Sequence, residues 1–317
     1  MEAESYYDSV AQQEWRRLGK HRTEFAVSLR TMLEFLPPPP ASVLDVGGGP
    51  GRYSIALAGR GYEVTLLDLS CENLKVARQE AEEADVSLID LIHANALDLG
   101  QLPSDSYDGV LLMGPLYHLL LHEERLQAIQ EAKRVLKPGG RLFAAFITRY
   151  APFRVGSVQS PTWLVENADY ARQVLETGIA DRSTRFAKAY YVHPNEVVPL
   201  MESCGLRTLR LTGCEGVVAE HEDKVNALEG EAWEAWVDLN YRLGQDPTLY
   251  GASDHLLYVG KKDGSTSLCS DSASAQTTKR PPRSPSTRPP LPASDRQKHR
   301  ETYRLESGRN AVSDSRR

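Results

Sequence analysis

The chain has 317 residues, 41% of them hydrophobic, an ordinary share for a globular protein, and no apolar run approaches the roughly 18 residues a bilayer-spanning helix needs. Its net charge of −6 is uneven: 11 basic residues face 5 acidic ones from Gly264 onward, against 26 and 38 in the first 263 residues. An acidic body repels a phosphate backbone, which argues against nucleic-acid binding by the folded part.

The start, MEAESYYDSVAQQEW, is acidic and polar and lacks the basic stretch and apolar core of a secretory signal, so the cytosol is the expected compartment. The four cysteines (Cys71, Cys204, Cys214, Cys269) have no metal-type spacing and are expected to be unpaired thiols, with no metal site. Residues 8–36 read as one amphipathic helix, because Val10, Trp15, Leu18, Phe25, Leu29, Leu33 and Leu36 recur at helical intervals. Four prolines at 37–40 stop it, since proline has no N–H to donate.

Strands and helices then alternate. Strands are expected at 42–46, 63–67, 87–93, 107–113 and 141–148, and helices at 51–59, at 71–84 behind a Ser70 cap, and at 123–136 before a Lys-Pro-Gly-Gly turn at 137–140. Further on, helices are expected at 161–177, 193–204 and 225–243, and strands at 206–212 and 255–260. This alternation predicts a doubly wound α/β domain whose parallel sheet carries helices on both faces. The expected organisation is a helical segment at 1–40, a domain at 41–262 with cap insertions at 149–192 and 215–250, and a tail at 263–317. That tail, rich in Ser, Pro, Arg and Thr, buries too little apolar surface to order itself.

The most informative stretch is VLDVGGGPG at 43–51, a glycine-rich turn between a strand and a helix, which in doubly wound folds marks a nucleotide site. The dinucleotide pattern GxGxxG fails, because its last position falls on Arg52 or Ser54, and no GxxxxGK[ST] loop exists. What fits is DxGxGxG, formed by Asp45, Gly47, Gly49 and Gly51. Asp68 ends the second strand about twenty residues on, where a carboxylate can accept both hydroxyls of a ribose. Asn95, after the third strand, can bond an adenine amine or a neighbouring backbone group. A plain strand–helix turn without ligand is the alternative, and Asp45, Asp68 and the failed dinucleotide pattern argue against it.

The run VLDVGGGPGRYSIALAGRGYEVTLLDLS, with YDGVLLMGPLYHLL and RVLKPGGRLFAAF, resembles the class I S-adenosylmethionine-dependent methyltransferases. The resemblance is strong over residues 41–148 and looser to Lys262. It implies a mainly parallel, seven-stranded Rossmann-like sheet with an antiparallel last strand, and S-adenosylmethionine as cofactor. By that resemblance Asp45, Gly47, Gly49 and Gly51 would hold the methionine part and Asp68 the ribose. Leu69 would pack on adenine, Asn95 and Ala96 would line its edge, and Met113 would border the cofactor. Many members carry Asp where this chain has Asn95.

The acceptor side rests on the loop Met113-Gly-Pro-Leu-Tyr-His118. It lacks the [DN]PP[YF] motif of amino-methylating enzymes, a Pro-Cys nucleophile and an acidic cluster for magnesium. These absences point to a small-molecule acceptor, as in the quinone-biosynthesis and secondary-metabolite branches. His118 is the candidate general base, with Tyr117 beside it, and a structural or cofactor-lining role is the alternative for both. By the same resemblance Tyr6 and Tyr7 would close over the cofactor, with ordinary packing at a helix start as the alternative. Arg16, Arg17, His21 and Arg22 face either the pocket or solvent, and Trp163, Tyr190 and Tyr191 in the insert at 149–192 suggest an apolar or aromatic acceptor, with an ordinary core as the alternative. Two other readings stand beside this one: a cofactor-binding interaction protein without turnover, and an RNA or protein methyltransferase recruiting its substrate through the tail.

Overall fold

A computed structural model describes residues 2–180 and 188–264. Past Gly264 the expected tail lies outside the described residues. The helix expected at 8–36 is two helices, α1 (Glu2–Leu18) and α2 (Arg22–Phe35). Gly19, Lys20 and His21 fold back to close on the carbonyls of Trp15, Arg17 and Leu18. Apolar spacing runs through this break, because a three-residue turn does not disturb the count of threes and fours. The two halves do different work: α2 buries Val27, Leu29 and Met32 in the core, whereas α1 packs on the flank of a later helix, Cys71–Glu83.

After the prolines come β1 (Ser42–Val46), α3 (Arg52–Ala58), β2 (Glu63–Asp68), α4 (Cys71–Glu83), β3 (Asp90–His93), β4 (Tyr107–Leu112), α5 (His122–Val135) and β5 (Leu136–Ile147). Ser70 caps α4 as expected, its hydroxyl accepting from the Asn73 amide at 3.1 Å. In α5, Glu123 and Glu124 lie in the first turn and Lys133 and Arg134 in the last, the order the helix dipole favours. The expected turn at 137–140 is instead an irregularity at the start of β5, between the pairings Tyr107–Leu136 and Gly109–Arg141.

The aromatic segment holds three short helices where one was expected: α6 (Ala151–Gln159), α7 (Trp163–Glu166) and α8 (Ala168–Thr177). A two-residue pair, β6 (Ile179–Ala180) with β7 (Ala189–Tyr190), follows. Then come α9 (Pro194–Ser203), β8 (Leu206–Gly213), α10 (Glu222–Asn226), α11 (Gly230–Leu243) and β9 (His255–Lys262). The helix expected at 225–243 is thus divided at 227–229.

The seven-stranded sheet has the order β3-β2-β1-β4-β5-β9-β8. Its first five strands run parallel, and β9 inserts antiparallel between β5 and β8. The pleat divides the core in two. Leu44, Leu112 and Leu142 pack against Ile129 of α5 and Met201 of α9 on one face, and Val43, Leu111 and Phe143 against Met32 of α2 on the other. Each such fully buried side chain contributes roughly 1.5–3 kcal/mol. The carboxyl ends of β1, β2, β4 and β5, with the amino end of the reversed β9, therefore share one edge. None of the described helices is long and apolar enough to cross a membrane.

Candidate active site

The glycine turn after β1 is built by close approach. Gly47 and Gly49 have φ of +67° and +58°, in the left-handed region that favours glycine. The Gly47 amide donates to the Leu67 carbonyl at 2.7 Å, and the Gly49 amide to Asp68 Oδ2 at 2.8 Å. Gly48, which the DxGxGxG pattern leaves free, has no room for a side chain: a Cβ there would sit 2.5 Å from the Asp45 carboxylate. Its need for glycine comes from a contact with β1, which the motif does not record. On the other side a Cβ on Gly47 would meet Pro115 at 2.5 Å, so the turn lies against the loop after β4.

Asp45 is fully buried under this turn. Its Oδ2 accepts from Ser54 Oγ at 2.7 Å, and its Oδ1 has no partner among the described residues. Burial, with the Asp68 charge adding and the Ser54 bonds opposing, raises its carboxyl to about 7. Asp68 is also pushed up by burial, against three hydrogen bonds. Those bonds come from the Gly49 amide, the Ser70 amide at 2.8 Å and Asn73 Nδ2 at 3.2 Å. A carboxylate has about four acceptor positions, so Asp68 retains capacity for one further hydroxyl rather than two.

The remaining cofactor candidates divide by exposure. Leu69 is half-buried, and its carbonyl accepts from His93 Nε2 at 2.8 Å. Asn95 is exposed, with Oδ1 turned back to accept the Leu97 amide at 3.0 Å. Ala96 and Met113 are buried in the two apolar clusters of the sheet.

The loop after β4 forms a single 3-10 turn, Pro115–Tyr117. Here Tyr7 of α1 meets His118, its hydroxyl 2.7 Å from Nε2. Burial, opposed by the Lys188 backbone, holds the His118 imidazole down at about 4, so it is neutral near pH 7 and receives the Tyr7 proton donor. That makes His118 a weak base, already engaged by a phenol. Burial also pushes the Tyr117 and Tyr7 phenols up. α1 is tied to the same edge by Asp8, which accepts from Ser70 Oγ at 2.6 Å.

A cavity of about 950 Å³ opens beside Tyr117, between α1, the three cap helices and the end of the sheet. Tyr7, Tyr117, Trp163, Tyr170 and Tyr191 form its aromatic walls. Trp163 lies over Gly156 of α6, where a Cβ would fall 2.4 Å from the indole, so the glycine seats the ring. Of the earlier candidates, Arg17, His21, Trp163 and Tyr191 line the cavity together with Tyr7 and Tyr117. Tyr190 does not: it stacks under Arg125 and donates to Glu196 at 2.7 Å. Arg22 is likewise spent elsewhere, over Trp233.

Sequence reasoning missed His255, the first residue of β9, which lines the cavity with its Nδ1 on Glu215. Glu215 is 1% exposed, and its second oxygen accepts the His255 backbone amide at 2.9 Å. Burial disfavours the charged imidazole, but the Glu215 charge and hydrogen bond outweigh this and raise it to about 9. The two residues lie 40 positions apart in the chain, and no motif spacing signals such a pair. No group of three or more His, Cys, Asp or Glu among the described residues is placed to hold a metal ion.

Residues 44–144 match a family model described as a methyltransferase domain. The chain is 28% identical over 212 residues to a ubiquinone biosynthesis O-methyltransferase of Coxiella burnetii, covering 65% of this chain and 82% of that protein. A demethylmenaquinone methyltransferase of Listeria welshimeri is 40% identical over 104 residues, 32% of this chain and 42% of that one. Among solved structures, a SAM-dependent methyltransferase of Thermotoga maritima superposes with a TM-score of 0.53 at 18% identity, over 81% of this chain and 98% of the other. One from Methanosarcina mazei gives 0.51 at 19% identity, over 74% and 97%. At such identities these structures establish shared architecture, a mainly parallel Rossmann-like sheet. The matched domain spans the glycine turn, Asp68 and the loop after β4, so this part of the chain is similar to S-adenosylmethionine-dependent methyltransferases in sequence and in fold.

Proposed function

We propose that the protein transfers a methyl group from S-adenosylmethionine to a hydroxyl of a small aromatic acceptor by in-line displacement, in the cytosol. The observation that carries this reading is the aromatic-walled cavity of about 950 Å³ that Tyr117 lines, at the end of the β4 loop whose Pro115 lies against Gly47. It is the size of a small-molecule site. Its polar lining includes Glu166, Asp169 and Asp254, which suits an uncharged ring better than a phosphate polymer. The Coxiella relative is named as a ubiquinone biosynthesis O-methyltransferase, which supports a hydroxyl acceptor, and the Listeria relative as a demethylmenaquinone methyltransferase, which supports a small quinone-like ring.

The cofactor supplies an activated methyl on a sulfonium, so the chain's own task is alignment, exclusion of water and removal of a proton. The residues fit it on three counts. The turn is open at Gly49, where a Cβ would meet no described atom nearer than 3.9 Å. Asp45 keeps a buried, unpartnered oxygen beneath that turn, suited to the positive methionine end. Asp68 keeps one open acceptor position for a ribose hydroxyl. In this reading Leu69, Asn95, Ala96 and Met113 border the adenosine, Asn95 through its amide N–H₂ because Oδ1 is engaged. Tyr7, fixed by His118, holds α1 over the site. His118 thus serves as a positioning residue, and Tyr117 as a wall between cofactor and acceptor.

Calorimetry with S-adenosylmethionine and S-adenosylhomocysteine, followed by turnover on a panel of phenols, catechols and hydroquinones, tests the reading. Binding of both cofactor forms and methyl ether products are expected. Absence of binding at millimolar cofactor contradicts the cofactor site, and binding without any methyl ether contradicts the acceptor class alone.

A further inference from the structure

Methylating a hydroxyl requires a base, and the residues nearest the β4 loop do not supply one. His118 is held neutral and weakly basic with Tyr7 on its Nε2, and the Tyr117 phenol is pushed up by burial. His21 also lines the cavity, but its Nδ1 lies 3.1 Å from Glu222 and its Nε2 3.5 Å from Arg17 Nη1. His255 differs. Its Nδ1 and backbone amide are both held by the buried Glu215, and no described residue takes Nε2, on the opposite side of a ring that lines the cavity. It stands at the carboxyl edge, paired with Ile147 at the end of β5, two strands beyond β4. The His21 ring is 6.5 Å from it, and the His21 carbonyl accepts from Arg52 at the start of α3, so the pair borders the helix that follows the glycine turn.

We propose that His255, oriented by Glu215, is the catalytic base that accepts the hydroxyl proton of the acceptor at Nε2. The inference rests on the acceptor reading above and names the residue that acts on it. The acceptor O–H bond breaks and its proton goes to Nε2. The oxygen pair forms the O–C bond to the methyl group as the C–S bond breaks, the latter's pair staying on sulfur. The positive charge lost at sulfur reappears on the imidazolium, facing Glu215. Glu215 is a positioning residue: it fixes the ring and its tautomer, with Nδ1–H donating, and strengthens Nε2 as an acceptor.

The surrounding charge favours this. Glu24 of α2 and Asp254, next in the chain, add to Glu215; Glu222 of α10 faces both His21 and His255, and Arg154 of α6 lies 2.6 Å from Asp254. The resulting imidazole, at about 9, approaches the basicity of a phenolate, so little energy is lost in the proton transfer.

The probe is 4-nitrocatechol, whose ionisation is visible by absorbance, titrated with pH on the full chain saturated with S-adenosylhomocysteine. The bound probe is expected to ionise at least ten-fold more readily than the free one, His255→Gln to abolish that gain, and Glu215→Gln to reduce it. The alkaline-rising limb of kcat/KM for probe methylation is expected near pH 9, and E215Q should move it down by a unit or more. Equal ionisation in the parent and H255Q, or no binding of the probe at millimolar concentration, overturns the proposal. If H255Q does not fold, E215Q decides: an unchanged midpoint and an unchanged limb overturn it. An intact ionisation shift without a methyl ether product refutes the acceptor reading while leaving the proton transfer to His255 standing.

Discussion

Asp45→Asn replaces a fully buried carboxylate with a neutral amide of nearly the same shape and should remove a pH-dependent penalty from the fold. Burial raises the Asp45 carboxyl to about 7, whereas in the unfolded chain it titrates near 3.9. Between those values the folded state holds a proton that the unfolded state has released. The stability this provides is complete below about pH 4 and is lost as pH rises through 7. At about 1.4 kcal/mol per unit, the three-unit difference amounts to roughly 4 kcal/mol once Asp45 is ionised. Urea unfolding of the parent and D45N at pH 5, 6, 7 and 8 measures it. The variant's stability minus the parent's should climb by about 2–3 kcal/mol over that range. Groups common to both proteins cancel in the difference, and any unpaired amide donor in the variant adds a cost that does not vary with pH. A difference constant to within about 0.5 kcal/mol would refute the reasoning, because Asp45 would then titrate alike in both states.

Two further tests bear on the site. Asp68→Ala should weaken S-adenosylhomocysteine binding by at least about 1.5 kcal/mol in calorimetry, through a lost charge-assisted hydrogen bond and a loosened Gly49 amide; equal affinity would remove Asp68 from the site. His118→Gln should cost about 1 kcal/mol of stability through the Tyr7 bond and lower kcat less than ten-fold, with an unaltered pH profile. A loss of several hundred-fold, with the alkaline limb abolished, would restore His118 as the base.

The alternation of strands and helices was legible because β1, β2, β4 and β5 are apolar runs buried on both faces, separated by helices of a different period. The glycine turn and Asp68 were legible because one local contact, the Gly49 amide on Asp68 Oδ2, joins the ends of adjacent parallel strands. Boundaries were less legible. A three-residue break between α1 and α2 leaves the apolar spacing intact, and the aromatic cap reads as one helix although it packs as three.

His118 shows what residue type leaves open. An imidazole beside an expected acceptor site suggests a base, yet here burial lowers it and its Nε2 meets the hydroxyl of Tyr7, 111 positions away. His255 shows the reverse, an unremarkable first residue of the last strand that lies at the cavity because β9 runs antiparallel beside β5. By itself the sequence determined the strand–helix order, the turn after β1 and the acid after β2, since each depends on neighbours within one βαβ unit. Only the tertiary structure decided that His255 lines the cavity, why Gly48 admits no side chain and where the cavity lies. Those follow from contacts between segments distant in the chain, brought to one edge by the insertion of β9 between β5 and β8.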